Sequence, residues 1–158
     1  MNFELISPAY DAELAGLIRR ILKAHALDIP GTAYFDASLD HLSGFYAEPG
    51  RAYYLLTEGK KLIGGIGLAE LPDLPACCEM QKLYLDENYR GRGWGRRMVD
   101  RIEQAAWEMG YQRMYLETHT NLEAAVRLYE KCGYHAIPKP DFVIHTAMNR
   151  FYLKELPA

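Results

Sequence analysis

One segment restricts this chain more than any other: LYLDENYRGRGWGRRMVDRI, residues 83–102, in which an apolar run meets a turn rich in glycine and arginine. CCEMQKLYLD before the turn reads as a long strand, and Trp94, Met98, Ile102, Ala105 and Met109 recur three and four residues apart after it. Gly110 is the expected helix stop. Gly91, Gly93 and Gly95 alternate through the turn, which lets the backbone approach a ligand and points successive N–H groups into one concavity. The helix that starts there adds its unpaired first-turn donors and the positive end of its dipole. Such a turn suits a phosphate or pyrophosphate. Its spacing, GxGxG, is neither GxxxxGK[ST] nor GxGxxG. The competing reading is a tight turn that serves only helix–sheet packing.

Charge supports the anion site. Eighteen basic against 21 acidic residues give a net charge of −3, which disfavours nucleic acid and anionic membranes as partners. Yet five of the eleven arginines, Arg90, Arg92, Arg96, Arg97 and Arg101, crowd into twelve residues against one acid, Asp100. With 25% charged residues, 13 Gly and 8 Pro, a disordered or low-complexity chain is excluded, and 158 residues suit one domain spanning 1–158. Cys77, Cys78 and Cys132 are odd in number and form no CxxC, so neither a disulfide framework nor a metal site is expected. MNFELISPAY lacks the basic start and apolar stretch of a leader, and LIGGIGLA is too short to span a bilayer. A cytoplasmic protein with no membrane partner is the expectation.

The remaining elements follow from period and punctuation. FELI reads as a short strand, and Ser7-Pro8 opens an amphipathic helix over residues 9–26 through Leu14, Leu17, Ile18, Ile21, Leu22 and His25. A weaker helix is expected over 36–47. AYYLLT and KLIGGIGL form a hairpin through Glu58 and Gly59. RMYLET is a further strand, and Thr120 to Glu123 reads as a capping box opening a helix that Gly133 ends. Apolar stretches at 141–145 and 148–156 predict a C-terminal hairpin. The order β, α, α, β, β, β, α, β, α, β, β predicts an α/β fold, a mixed and mostly antiparallel central sheet flanked by helices.

At this point the sequence resembles the GCN5-related N-acetyltransferase superfamily. Arg90, Gly93 and Gly95 meet that family's R/Q-x-x-G-x-G/A signature, directly after an E-x-x-x-L-Y-L strand from Glu79 to Leu85. NLEAAVRLYEKCGY is similar to its N-x-x-A-x-x-L-Y-x-K-x-G-F/Y helix through Asn121, Ala124, Tyr129, Lys131, Gly133 and Tyr134, with one residue more between Ala124 and Leu128. The resemblance implies an acyl-CoA N-acyltransferase fold and an enzyme that moves an acetyl group from acetyl-CoA to a primary amine by direct attack, without a metal. It implies pyrophosphate on the amides of Arg90, Gly91, Arg92, Gly93, Trp94, Gly95 and Arg96, and the pantetheine arm along Leu83, Tyr84 and Leu85 between two splayed strands. The alternative is a silent acetyl-CoA-binding sensor or assembly module.

Acetyl transfer needs a base for the amine, donors for the oxyanion and an acid for the leaving thiolate. By the resemblance Tyr129 faces the sulfur as the acid; the other reading is a core aromatic. Asn121 holds the cofactor's arm or caps a helix. Glu79 alternates with Gln81 and Leu83, so the three are expected on one face, with Glu79 as base or as a solvated strand-start acid. His119 and His145 are other proton acceptors. One of Arg96, Arg97 and Arg101 is expected at the adenosine 3′-phosphate. Asp28, Asp36, Asp40 and Glu48 favour a small cationic acceptor, and the edge or aromatic surface left by the two C-terminal strands favours a homodimer.

Overall fold

The computed structural model describes residues 1–144 and 146–157, so His145 lies outside the described residues. The chain runs β1 (Asn2–Leu5), α1 (Asp11–Ala24), α2 (Leu42–Tyr46), β2 (Ala52–Glu58), β3 (Lys61–Glu70), β4 (Cys77–Leu85), α3 (Trp94–Glu108), β5 (Arg113–Thr118), α4 (Glu123–Lys131), β6 (His135–Ile137) and β7 (Arg150–Glu155). The strands form one seven-stranded sheet in the order β1-β2-β3-β4-β5-β7-β6. Among the described residues, β4 and β5 are the only neighbouring strands that run parallel. This is the expected α/β architecture, a mixed and mostly antiparallel sheet with helices on both faces.

Strand β3 shows why helices cover both faces, because KLIGGIGLAE is buried everywhere but at its two ends. On one face Leu14, Ile18 and Leu22 of α1 pack with Leu39, Leu42, Tyr53 and Leu55. On the other, Met98, Val99, Ile102 and Ala106 of α3 pack with Ile63, Ile66, Met114 and Leu116. Truncating a fully buried residue such as Ile18 or Ile102 to alanine costs about 2–5 kcal/mol. On the buried side of α3, Glu103 is compensated by Lys154 Nζ at 2.9 Å and by the Tyr134 hydroxyl, which donates to it at 2.7 Å. No helix among the described residues is long and apolar enough to cross a membrane.

Three local expectations are corrected. The helix expected over 36–47 is split into a 3-10 turn, Leu39–His41, and the short α2. His41 leaves helical geometry at φ −138°, and Asp11 of α1 restarts the helix by accepting from Ser43 N at 2.9 Å and Ser43 Oγ at 2.6 Å. The Thr120–Glu123 capping box does not form. Thr120 bonds Asn149 through both its N–H and its hydroxyl, and Leu122 precedes the first helical residue of α4. The C-terminal hairpin pairs β7 with β6 at His135–Ile137, and residues 141–144 are not strand. Pro138 and Pro140 lack the donors to extend that ladder, and a turn from Pro140 to Val143 follows.

Candidate active site

The sheet opens in its middle. β4 and β5 pair only through Cys77, Cys78 and Glu79 against Arg113, Met114 and Tyr115, then continue unpaired to Leu85 and Thr118. The edge of β4 beyond Glu79 therefore has no ladder partner, and its peptide groups on that side are available to a ligand. On its other edge Tyr84 pairs with Gly65 and Gln81 with Gly67, so Lys82 and Leu83 together oppose Ile66 in a β-bulge. Lys82 carries the strain at φ +52°. Two contacts hold it: the Tyr53 hydroxyl donates to Lys82 O at 2.7 Å, and Lys82 Nζ meets Asp36 at 2.8 Å. Glycine on β3 makes room for the Tyr53 ring, since a Cβ on Gly67 would stand 2.5 Å from its Cδ2.

The bulge overturns one alternation. Glu79 and Gln81 share a face, but Leu83 does not join them. Cys78 and Met80 face the α3 cluster before the bulge, whereas Leu83 and Leu85 face it afterwards and Tyr84 moves to the α1 side. One extra residue in the strand inverts every later side chain.

A cavity of about 700 Å³ fills the wedge, a size that suits a bound cofactor. At one end lie Arg90, Gly91, Gly93, Gly95 and Arg96, joined by Arg127 and Lys131 of α4; at the other lie Asp36, Glu79 and Glu117. Gly91 and Gly93 have φ of +76° and +83°, with nothing within 4 Å of where a Cβ would stand. The glycines are thus needed for conformation there, and they leave open space beside the backbone. Gly95 differs, because its Cβ would meet Leu128 Cδ2 at 2.9 Å, so it lets α4 pack on the first turn of α3.

Of the residues singled out from sequence, Glu79, Leu83, Tyr84, Leu85, Arg90, Gly91, Gly93, Gly95, Arg96 and Tyr129 line this cavity. Asp36 lines it too, whereas Arg92, Trp94, Arg97, Arg101, His119 and Asn121 do not. Arg92 sits over the Tyr89 ring at 5.4 Å, and Trp94 packs on the core beneath Arg97 at 4.4 Å. Arg101 bonds the Tyr54 hydroxyl, which leaves Arg96 as the member of its trio on the cavity wall. Asn121 donates through Nδ2 to His25 O, and His119 Nδ1 accepts from Asn121 N.

Glu79 is the perturbed acid. Burial pushes its carboxyl up to about 7, opposed by a hydrogen bond from Gln81 Nε2 at 3.0 Å and reinforced by the negative charge of Glu117. Sequence reading missed Glu117, although Tyr115 and Glu117 alternate in RMYLET and the Tyr115 hydroxyl donates to Glu117 at 2.9 Å. Tyr129 is only 6% exposed, and burial, then the neighbouring Cys132, raises its phenol well above the usual value. It stays protonated across the neutral range. Its ring rests near Tyr134 and Tyr152, with centroids at 6.1 and 6.4 Å. The cavity thus has a cationic end, an acidic end carrying a proton acceptor near neutrality, and a protonated phenol on its wall.

Comparison with known proteins agrees with this geometry. The Acetyltransferase (GNAT) family matches the chain over residues 18–134. The chain is 34% identical over 126 residues to the uncharacterized N-acetyltransferase YjgM of Escherichia coli strain K12, covering 78% of this chain and 75% of that protein. In structure it matches a GNAT-family acetyltransferase from Staphylococcus aureus MU50 with a TM-score of 0.87, 23% identity and 99% of both chains covered. It also matches yncA of Salmonella typhimurium, solved with its cofactor acetyl-CoA, with a TM-score of 0.75, 17% identity, and 99% of this chain and 94% of that one covered. The two structures speak for the fold, and the match over most of the sequence speaks for descent: the chain belongs to the GNAT family of acetyltransferases.

Proposed function

We propose that this acetyltransferase moves an acetyl group from acetyl-CoA to a primary amine of a small cationic acceptor, by direct attack while both are bound. The observation that carries the reading is the polarity of the cavity, cationic at the glycine turn and acidic at Glu79 and Glu117. A polyanionic donor and a cationic acceptor are thereby sorted to opposite ends before any reaction.

The residues present fit the donor. Open space beside Gly91 and Gly93, four basic side chains and the N-terminus of α3 suit a pyrophosphate, and the unpaired edge of β4 suits an amide-bearing arm. Backbone amides from Arg90 to Arg96 hold the pyrophosphate, Arg96 serves the adjacent phosphate, and Leu83, Tyr84 and Leu85 guide the arm. Acetyl-CoA supplies the activated acyl group as a thioester.

The acceptor amine arrives protonated, drawn by Glu79 and Glu117, since Asp36 is already paired with Lys82. Glu79 takes its proton, directly or through a water, and a carboxyl near 7 is matched to that task. Backbone N–H groups on the free edge of β4 hydrogen-bond the developing oxyanion. Tyr129 holds a proton on Oη for the departing sulfur. A homodimer remains part of the proposal, supported by the exposed edge strand β1, where Leu5 is 61% exposed; a sedimentation mass of 18.1 kDa at micromolar protein would reject it.

The test is purified protein with acetyl-CoA and a panel of amino acids, diamines, polyamines, aminoglycosides and peptides with free N-termini, read by release of free thiol. Turnover is expected with cationic small amines. Binding of acetyl-CoA with neither turnover nor slow hydrolysis would overturn the reading in favour of a silent binding module.

A further inference from the structure

Behind Glu79 stands a chain of hydrogen bonds that the reaction scheme does not use. The Tyr46 hydroxyl of α2 donates to Gln81 Oε1 at 2.8 Å, and Gln81 Nε2 donates to Glu79 Oε1 at 3.0 Å. We propose that Gln81 and Tyr46 are positioning residues, which fix the Glu79 carboxylate by one oxygen and keep its other oxygen free for the proton of the amine. The inference rests on Glu79 being the base.

The direction of the bonds carries the argument. Both donors point toward Glu79, so Oε1 must accept, and the carboxylate accepts there more strongly than the neutral acid with its proton on Oε2. Gln81 cannot turn its amide over without setting its own oxygen against the carboxylate. Tyr46 supports this orientation, because its hydroxyl donates to the amide oxygen and its ring is wedged against Phe45 and Tyr53, with centroids at 4.8 and 5.0 Å. Tyr46 is 4% exposed, so the chain reaches Glu79 from the interior. Glu79 Oε2 has no donor among the described residues, and Glu79 lines the cavity. The bulge takes part as well, since Gln81 is the last residue before it and keeps the face that Glu79 occupies, two residues away.

Other charged and titratable groups also face Glu79. Glu117 and Tyr115 approach from β5, Lys82 from β4 itself, and Asp36 from the segment that follows α1. Lys82 and Asp36 pair with each other, and Glu117 receives the Tyr115 hydroxyl. None of them bonds Glu79. Among the described residues the one hydrogen bond to its carboxylate is the Gln81 amide, and it favours the ionised form more than the charge of Lys82 does, so the chain through Tyr46 is the larger means by which the fold holds that carboxylate against the cost of burial.

The experiment has two readouts. In protein labelled with ¹³C at glutamate carboxyl carbons, the resonance absent from Glu79→Gln identifies Glu79, and its titration is followed in the free protein. Gln81→Leu is expected to move that titration upward by roughly one pH unit, a tenfold loss of carboxylate below the midpoint, the scale of one hydrogen bond to a charged group. Tyr46→Phe, which keeps the ring and leaves the Gln81 amide free to turn, is expected to move it the same way by less, and it stands in if Gln81→Leu does not fold. The second readout is the pH profile of kcat/KM with the fastest amine of the panel, whose rising limb is expected to move by the same amount while KM for acetyl-CoA stays put. Unmoved titration in both variants would overturn the inference. If Glu79→Gln keeps the rising limb, the base assignment has failed instead, and the titration then reports the chain alone.

Discussion

The Tyr53 hydroxyl donates to the Lys82 carbonyl at 2.7 Å, joining the start of β2 to the bulge of β4 across the intervening β3. The ring reaches that far only because Gly65 and Gly67 carry no side chain beneath it. A residue held at φ +52° therefore has its carbonyl fixed from one side and its ammonium from the other, by Asp36. Conformational strain at this point is supported by contacts made specifically to it.

Tyr53→Phe tests that support. The ring still fills its place, but the Lys82 carbonyl loses its donor at a part-buried site, a change of about 1–3 kcal/mol. Chemical denaturation is expected to show that loss, and isothermal titration a weaker hold on acetyl-CoA, because the edge of β4 is no longer fixed. Gly67→Ala should destabilise by a similar amount for a different reason, its methyl meeting Tyr53 at 2.5 Å and Tyr46 at 3.0 Å. If Tyr53→Phe leaves both quantities unchanged, the hydroxyl is not what holds the bulge.

Two glycines of the turn make a contrasting pair. Gly93→Val places a β-branched residue at φ +83°, where the backbone must rearrange even though nothing crowds the side chain. The protein should stay folded, with calorimetry showing acetyl-CoA affinity reduced beyond the micromolar range. Gly95→Ala has no conformational objection, and its methyl must push Leu128 aside from 2.9 Å. Its expected signature is lost thermal stability with a smaller change in affinity. Micromolar binding by folded Gly93→Val would remove the turn from the donor site.

The legibility of this site from sequence follows the reach of each signal. Strand, turn and helix around Gly93 are local, and hydrophobic period with turn chemistry settles them. The same holds for α1, the β2–β3 hairpin and the stop at Gly110, whose φ is +92°. What failed depended on partners distant in the chain. The Thr120 hydroxyl accepts from Asn149 Nδ2 instead of capping a helix, α2 takes its cap from Asp11 some thirty residues upstream, and the strand facing β7 comes from beside Gly133. The bulge is the most instructive case. Alternation assigned Leu83 to the face of Glu79 because nothing in QKLYL marks Lys82 as extra, and only pairing with β3 exposes it. Glu117 was missed for a related reason, since its place at the cavity depends on where β5 parts from β4.

Activity and stability should respond oppositely to pH at Glu79. A carboxyl raised from 4.5 to about 7 is a competent base only once ionised, so kcat/KM should climb about tenfold per pH unit below 7 and level above it. For folding the sign reverses. Between 4.5 and 7 the native state binds the proton and the unfolded chain does not, so stability is fullest below 4.5 and declines as pH rises toward 7. Glu79→Gln should abolish the kinetic limb and flatten that decline in denaturation curves. A wild-type rate independent of pH between 5.5 and 8 would count against Glu79 as the base.

Tyr129 separates a chemical role from a packing role most sharply. Its phenol lies on the cavity wall and is pushed upward by burial, so it is a full proton donor throughout the neutral range and should contribute no falling limb below pH 10. Tyr129→Phe keeps the ring that rests near Tyr134 and Tyr152. Stability and acetyl-CoA affinity should therefore change little, while kcat falls by roughly 10²-fold, the scale of general acid catalysis. A thioester whose thiol is more acidic needs less help in leaving, so the gap between wild type and mutant should narrow with such a donor. The opposite pattern, weakened folding and binding with an intact maximal rate, would make Tyr129 a packing residue. The leaving thiolate would then have to draw its proton from solvent or from a residue such as His145, which lies outside the described residues, since the His119 imidazole does not line the cavity.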